Sequence, residues 1–274
     1  MPPRLIVHAG FHKTGTSSVQ QMLRDGQAAL RPALRILTKR DMPAMCEAAR
    51  AYAQAPGDVE LAFFGYETAR ILETLDVDDP RCILMSSEDL SGHIPGRRGR
   101  VGYPAAPRLM ARLLDTVRAL WGAAPEVVFY FSTRGAHDWM RSCHTQHLRA
   151  TRMRDDLASY CAWQAPHANL DAAVAAVAGA VPGTRVAHRA LEQTRDMPQG
   201  PLTPLLDLAD VPQPLRAALP PPAVANASLP EPLRAQLRLL NREIEDDTEL
   251  RRRKRALIAA AHHGRSSRDT PGTQ

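Results

Sequence analysis

The chain has 274 residues, a formal charge of +6 and a pI near 9.5, with 44% apolar and 23% charged residues. That length suits one sizeable α/β domain, or such a domain with a helical appendage, and does not suit two unrelated full domains. The positive balance favours acidic partners, a multiply charged nucleotide among them, but the basic residues form no tract interleaved with aromatics, so nucleic-acid recognition is not indicated.

The four cysteines, Cys46, Cys82, Cys143 and Cys161, are widely spaced. Neither a zinc module nor a disulfide framework is indicated, and free thiols in a reducing compartment are expected. No basic segment followed by a long apolar run opens the chain, so no signal peptide or membrane span is expected and the cytoplasm is the expected location.

The first informative stretch is Leu5-Ile6-Val7-His8-Ala9-Gly10-Phe11-His12-Lys13-Thr14-Gly15-Thr16-Ser17-Ser18-Val19-Gln20. It predicts a buried strand over Leu5 to Val7, a tight loop, and a helix from Ser17 to Leu23 that stops at Asp25-Gly26. Gly10 and Gly15 allow backbone close to a ligand, and Thr14 to Ser18 supply hydroxyls and N–H groups where the helix begins, which is an arrangement that attracts phosphate or sulfate. A Walker A loop needs a lysine where Thr16 stands; here Lys13 lies inside the loop instead, which argues against an ordinary ATP or GTP site.

From Ala28 to Leu75 the propensity is mostly helical, with breaks at Pro32, Pro43 and Pro56-Gly57. Cys82 to Met85 predicts the next buried strand, which ends in Ser86-Ser87-Glu88-Asp89-Leu90-Ser91-Gly92-His93. In a parallel sheet that edge carries the ligand site, which puts Glu88 near the first loop, with a Walker B acid and helix capping by Ser87 or Asp89 as the other readings. Ile94 to Pro107 reads as a flexible loop whose Arg97, Arg98 and Arg100 either face solvent or guide an anion. Arg108 to Leu120 has an apolar helical face.

The second informative stretch, Glu126 to Arg134 followed by Gly135-Ala136-His137-Asp138-Trp139-Met140-Arg141-Ser142, is a buried strand ending in an arginine, then a turn and a helix carrying Ser142. The spacing lets the Arg134 guanidinium and the Ser142 hydroxyl meet at one anion. His144 and His147 share a face of that helix, but no third ligand has metal-site spacing, and no metal is expected. Trp139 reads as a buried packing residue, with stacking on a base as the alternative.

A helix interrupted near Pro166 is expected over Asp155 to Ala180, then a short strand at Arg185-Val186-Ala187. Residues 194–232 are proline-rich, with a small helix at Leu202 to Leu208. An Asn226-Ala227-Ser228 sequon falls in this connection and would matter only in a secreted chain. Leu233 to Ala261 reads as one long helix carrying the basic run Arg251-Arg252-Arg253-Lys254-Arg255, and residues 263–274 as a disordered tail. Contact of the basic run with a membrane surface stays open.

The two anion motifs, in this order and each at the end of an apolar strand, are similar to those of the P-loop-like sulfotransferases, in particular the bacterial branch with His-Lys-Thr-Gly-Thr loops. The resemblance implies a P-loop NTPase-like three-layer α/β fold in a single domain over residues 1–262. The layers would be a central parallel sheet and flanking helices, with helical insertions and a long C-terminal helix. It implies transfer of a sulfuryl group from 3′-phosphoadenosine 5′-phosphosulfate (PAPS), leaving adenosine 3′,5′-bisphosphate (PAP), to a hydroxyl or amine of an acceptor, with carbohydrate and lipid among the candidates. His12, Lys13, Thr14, Gly15, Thr16 and Ser17 would hold the 5′-phosphosulfate and Arg134 and Ser142 the 3′-phosphate. Lys13 would act on the bridging oxygen, and Glu88 would be the base, with His93 and His12 as reserves. A kinase with a degenerate P-loop and a non-catalytic nucleotide-binding protein of the same fold are the alternatives.

Overall fold

The computed structural model describes residues 4–97, 99–123, 125–221 and 229–266, with side chains as far as residue 261. Arg98, the Asn226-Ala227-Ser228 sequon and the last part of the expected tail, 267–274, lie outside the described residues.

Five strands form the sheet: β1 (Arg4–His8), β2 (Leu34–Thr38), β3 (Cys82–Ser86), β4 (Glu126–Thr133) and β5 (Arg185–Ala190). Their order is β2-β3-β1-β4-β5, and every pairing is parallel. Helices α1 (Thr16–Asp25) and α2 (Gln27–Leu30) follow β1. Helices α3 (Pro43–Gln54) and α4 (Asp58–Leu72) follow β2, α5 (Ala106–Trp121) follows β3, and α6 (Ala136–Ala150), α7 (Leu157–Gln164) and α8 (Leu170–Ala180) follow β4. After β5 come α9 (Thr203–Leu208), α10 (Gln213–Ala217), α11 (Glu231–Glu243) and α12 (Asp247–Ser266).

Alternation along the strands builds three layers. Leu5 and Val7 of β1 pack with Ile83, Met85, Phe129 and Phe131 against one group of helices, to which α5 gives Leu109 and Leu113 and α6 gives Trp139 and Cys143. Ile6, Leu84, Val128 and Tyr130 face the other way, onto Val19 and Leu23 of α1 and Leu205 and Leu206 of α9. This is the α/β architecture with a parallel central sheet that the sequence implies. Because β1 lies between β3 and β4, the loops leaving all three come together at one edge, where open parallel sheets bind ligands.

Four expectations need correction. The interval from Ala28 to Leu75 is not all helix, because Leu34–Thr38 forms the edge strand β2 in register with Cys82 to Ser86 of β3. The expected helix over Leu233 to Ala261 is two helices. The chain is extended at Ile244, Asp246 accepts a 2.7 Å hydrogen bond from the Glu249 N–H, and Arg152 donates to the Ile244 and Glu245 carbonyls. Helix α12 then runs on to Ser266, past residue 263 where a tail was expected. The segment after Ile94 is not a loose loop at its start: Pro95 and Gly96 are buried, and the Pro95 carbonyl lies 2.7 Å from His147 Nε2 of α6. Among the described residues no helix is long and apolar enough to cross a membrane.

Candidate functional site

The floor of the site is His8, the last residue of β1 and fully buried. Its Nδ1 lies 2.9 Å from Ser86 Oγ of β3 and its Nε2 3.0 Å from Ser132 Oγ of β4, so one imidazole ties three strand ends together. Burial holds its pKa down to about 3, and the ring is neutral. Gly10 follows directly above, and a Cβ there would stand 2.6 Å from His8 Nε2, so the loop can sit on the imidazole only with glycine at that position.

The loop over this floor is tightly constrained. Lys13 adopts φ 67 and Gly15 φ 95, two left-handed residues in a short span. Thr14 Oγ1 donates 2.6 Å to the Phe11 carbonyl, and Thr16, almost wholly buried where a Walker lysine would project, turns its hydroxyl to the same carbonyl at 3.4 Å. From outside, Trp139 Nε1 donates to the His12 carbonyl at 3.0 Å and the His12 N–H donates to Tyr103 Oη at 2.8 Å. The His12 ring faces inward, with Nδ1 3.2 Å from Tyr103 Oη and Nε2 3.4 Å from Asp89 Oδ1. Trp139 is thus packed beneath the loop, as its burial reading anticipated. Ser17 is exposed at the first turn of α1.

Two adjacent acids leave β3 and part company. Ser87 caps the short 3₁₀ turn Glu88–Ser91 by accepting from the Asp89 N–H, which makes the capping reading correct for Ser87. Asp89 then turns inward, 2% exposed, to Lys39 Nζ at 2.5 Å, to Arg50 and to His12. Its burial works against ionisation, but the hydrogen bonds from His12 and Lys39 prevail and hold its pKa at about 2. Glu88 stays partly exposed, with Oε2 accepting from Gln20 Nε2 of α1 at 2.9 Å. Sequence reasoning missed the structural weight of Asp89, because its cations come from the β2 region and α3, elements with no local signature of a site.

Arg134 joins the two anion motifs. It leaves the end of β4, and its Nη1 donates to the Lys13 carbonyl at 3.2 Å. Its buried Nε has no hydrogen-bond partner among the described residues and lies 3.9 Å from Glu192 Oε1. Glu192, just after β5, also accepts from the Gly135 N–H at 3.2 Å; it was not anticipated, since nothing in Leu-Glu-Gln marks it. Arg134 opens into a cleft of about 810 Å³ whose wall includes Gly15, Ser17, Ser18, Asp138 and Glu192. Ser142, one turn beyond Asp138 on α6, is partly exposed but is not in the lining of that cleft.

Lys13, Glu88 and His93 are not in the lining of that cleft. They belong to the loops that follow β1 and β3. Lys13 is half-buried; its pKa is lowered by burial and, beyond that, by the positive charges of Arg149 and Arg134, with Glu88 opposing. His93 is held with Nδ1 3.1 Å from the Ile94 carbonyl, and burial lowers its pKa. His144 and His147 do not point to a common centre: His144 Nε2 lies 3.0 Å from the Asp155 carbonyl and His147 Nε2 meets Pro95.

No family model and no curated protein matches the chain. A solved structure of a sulfotransferase from Alicyclobacillus acidocaldarius is similar in overall layout, with 14% identity and a TM-score of 0.48 over 95% of this chain and 96% of that one. At that distance the residues of the site itself, not the neighbour, carry any functional reading.

Proposed function

We propose that the protein is a sulfotransferase that uses PAPS and transfers its sulfuryl group to a hydroxyl or amine. The observation that supports this reading is the bond from Arg134 to the Lys13 carbonyl, which ties the end of β4 to the loop after β1 beside a cleft lined by Gly15, Ser17, Ser18 and Arg134, with the buried Arg134 Nε unpaired among the described residues. A nucleotide with phosphates at both its 3′ and 5′ ends matches that double site. An orphaned buried donor costs about 1–3 kcal/mol unless a ligand satisfies it.

In this reading PAPS supplies the sulfuryl group and a leaving 5′-phosphate. The loop N–H groups from Lys13 to Ser17 and the Ser17 hydroxyl hold the 5′ end, while Arg134 and Ser142 hold the 3′-phosphate. Thr14 and Thr16 shape the loop through the Phe11 carbonyl instead of touching the ligand. His12 likewise anchors the loop, since its ring is engaged by Asp89 and Tyr103. Lys13 places a cation where negative charge builds on the departing oxygen. Glu88, tethered by Gln20 and open to solvent, accepts the acceptor's proton. His93, with Nδ1 directed at a carbonyl, is the weaker base candidate.

Release of PAP from PAPS in the presence of an acceptor mixture tests the reading. The wild type is expected to release PAP, Lys13→Ala to lose at least about a hundredfold in rate, and Glu88→Gln to lose rate while still binding PAP. Phosphoryl transfer from ATP with no turnover of PAPS would overturn it in favour of a kinase.

A further inference from the structure

The basic run in the C-terminal helix is divided by the fold. Arg252 and Arg253 pair with Glu249 within α12, whereas the exposed Arg251 and the buried Lys254 line a second cleft, of about 620 Å³. The remaining basic residues of its wall are Arg97, Arg149, Arg152 and Arg154, against the two acids Asp155 and Asp247. Arg152 is occupied by Asp247 at 2.6 Å and by the Ile244 and Glu245 carbonyls. Arg97, Arg149 and Arg154 are exposed, and among the described residues no carboxylate pairs with any of them.

Lys254 is the unusual member. It is 4% exposed, and its Nζ donates to the Thr151 carbonyl at 2.7 Å. An ammonium has three N–H donors, and among the described residues this one has a single acceptor, beside a cleft rich in other cations. Burial, and after it the charge of Arg152, lowers its pKa to about 8 against the pull of Asp247. A buried, under-satisfied cation among unpaired guanidinium groups is costly for the fold by itself and is relieved by an anion.

The cleft is electrostatically coupled to the proposed transfer site through α6, on which Arg149 lies nearly two full turns beyond Ser142. Arg149's charge reaches Lys13. The Arg97 rim is a built turn: Gly96 has φ 99, and a Cβ there would stand 2.5 Å from Tyr160 Oη and 2.6 Å from His147 Nε2.

We propose that this cleft, through Arg97, Arg149, Arg154 and Lys254, binds an anionic group of the acceptor, so that the acceptor is a polyol or amine that also bears a carboxylate, phosphate or sulfate. This rests on the sulfotransferase reading, but the cleft's affinity for anions is measurable without it.

Calorimetry on the full chain with inorganic tripolyphosphate as probe, with and without saturating PAP, tests the proposal. Wild type is expected to bind tripolyphosphate in both conditions. Arg149→Ala with Arg154→Ala is expected to weaken it tenfold or more with PAP affinity unchanged within twofold, and Arg253→Ala, on the outer face of α12, to change neither. Wild-type affinity in the double variant, or loss of all tripolyphosphate binding when PAP is present, overturns the cleft. If PAP does not bind at all, the donor reading falls and the probe titration still decides the cleft. In turnover with PAPS, glucuronate and glycerol 3-phosphate are expected to accelerate PAP release more than glucose and glycerol, and the double variant to lose that preference. No preference for the charged member in wild type overturns the acceptor assignment.

Discussion

Mild acid should weaken the fold through two histidines. His8 is fully buried and His147 is 1% exposed; burial holds their pKa values at about 3 and about 4, against 6.5 for the free side chain. Each is therefore neutral in the native state but charged in the unfolded chain below pH 6.5, so the unfolded state binds the extra protons and stability falls as pH drops from 6.5 toward the folded values. At pH 5 each group has lost about 2 kcal/mol relative to pH 7.5, at 1.36 kcal/mol per unit of pH below 6.5. Together that is about 4 kcal/mol, a large fraction of the 5–15 kcal/mol of a typical domain. Asp89, held at about 2, does not enter this window. Urea unfolding at the two pH values reads the effect directly. His8→Gln, which keeps polar atoms between Ser86 and Ser132, should cut the pH-dependent loss by about half whatever it does to stability at pH 7.5. An unchanged midpoint between pH 7.5 and 5, or an unchanged pH dependence in His8→Gln, would refute the argument that the floor imidazole is locked neutral.

Other substitutions probe the loop and its supports. Gly15→Ala forces an L-residue into φ 95 and brings its Cβ to 2.8 Å from Leu191 Cδ1, so a loss of about 1–3 kcal/mol is expected by urea unfolding, part of it recovered by Leu191→Ala. Asp89→Asn leaves Lys39, Arg50 and His12 without their shared carboxylate and should cost about 2 kcal/mol or more, less than for a fully buried pair because Lys39 is 45% exposed. Glu88→Gln should leave thermal stability nearly unchanged, since its contact is with Gln20, while turnover falls by about a hundredfold or more.

What could be read from the sequence was local. The loop from His8 to Ser17 and the strand ending at Arg134 each carry their chemistry within one strand, turn and helix, and the structure places them side by side because β1 and β4 are neighbours. What could not be read depended on distant partners. β2 is a five-residue edge strand with Arg35 exposed, set in an alanine-rich region, and only its pairing with β3 makes it a strand. The break after α11 lies in an apolar stripe that continues through Ile244, and it is fixed by Arg152 from another part of the chain. The division of labour between Glu88 and Asp89 follows from where Lys39, Arg50 and Gln20 stand, and adjacent acids look alike without them.

The central claim is that the loop after β1 and Arg134 form one site for a nucleotide phosphorylated at both ends. Calorimetric titration of wild type and Arg134→Ala with PAP and with ATP and magnesium tests it most directly. The account predicts that wild type binds PAP in preference to ATP and that Arg134→Ala weakens PAP by about 2–3 kcal/mol, roughly 30- to 150-fold, as expected for a lost charged hydrogen bond. Preferential binding of ATP with magnesium, or PAP affinity indifferent to Arg134, would contradict it.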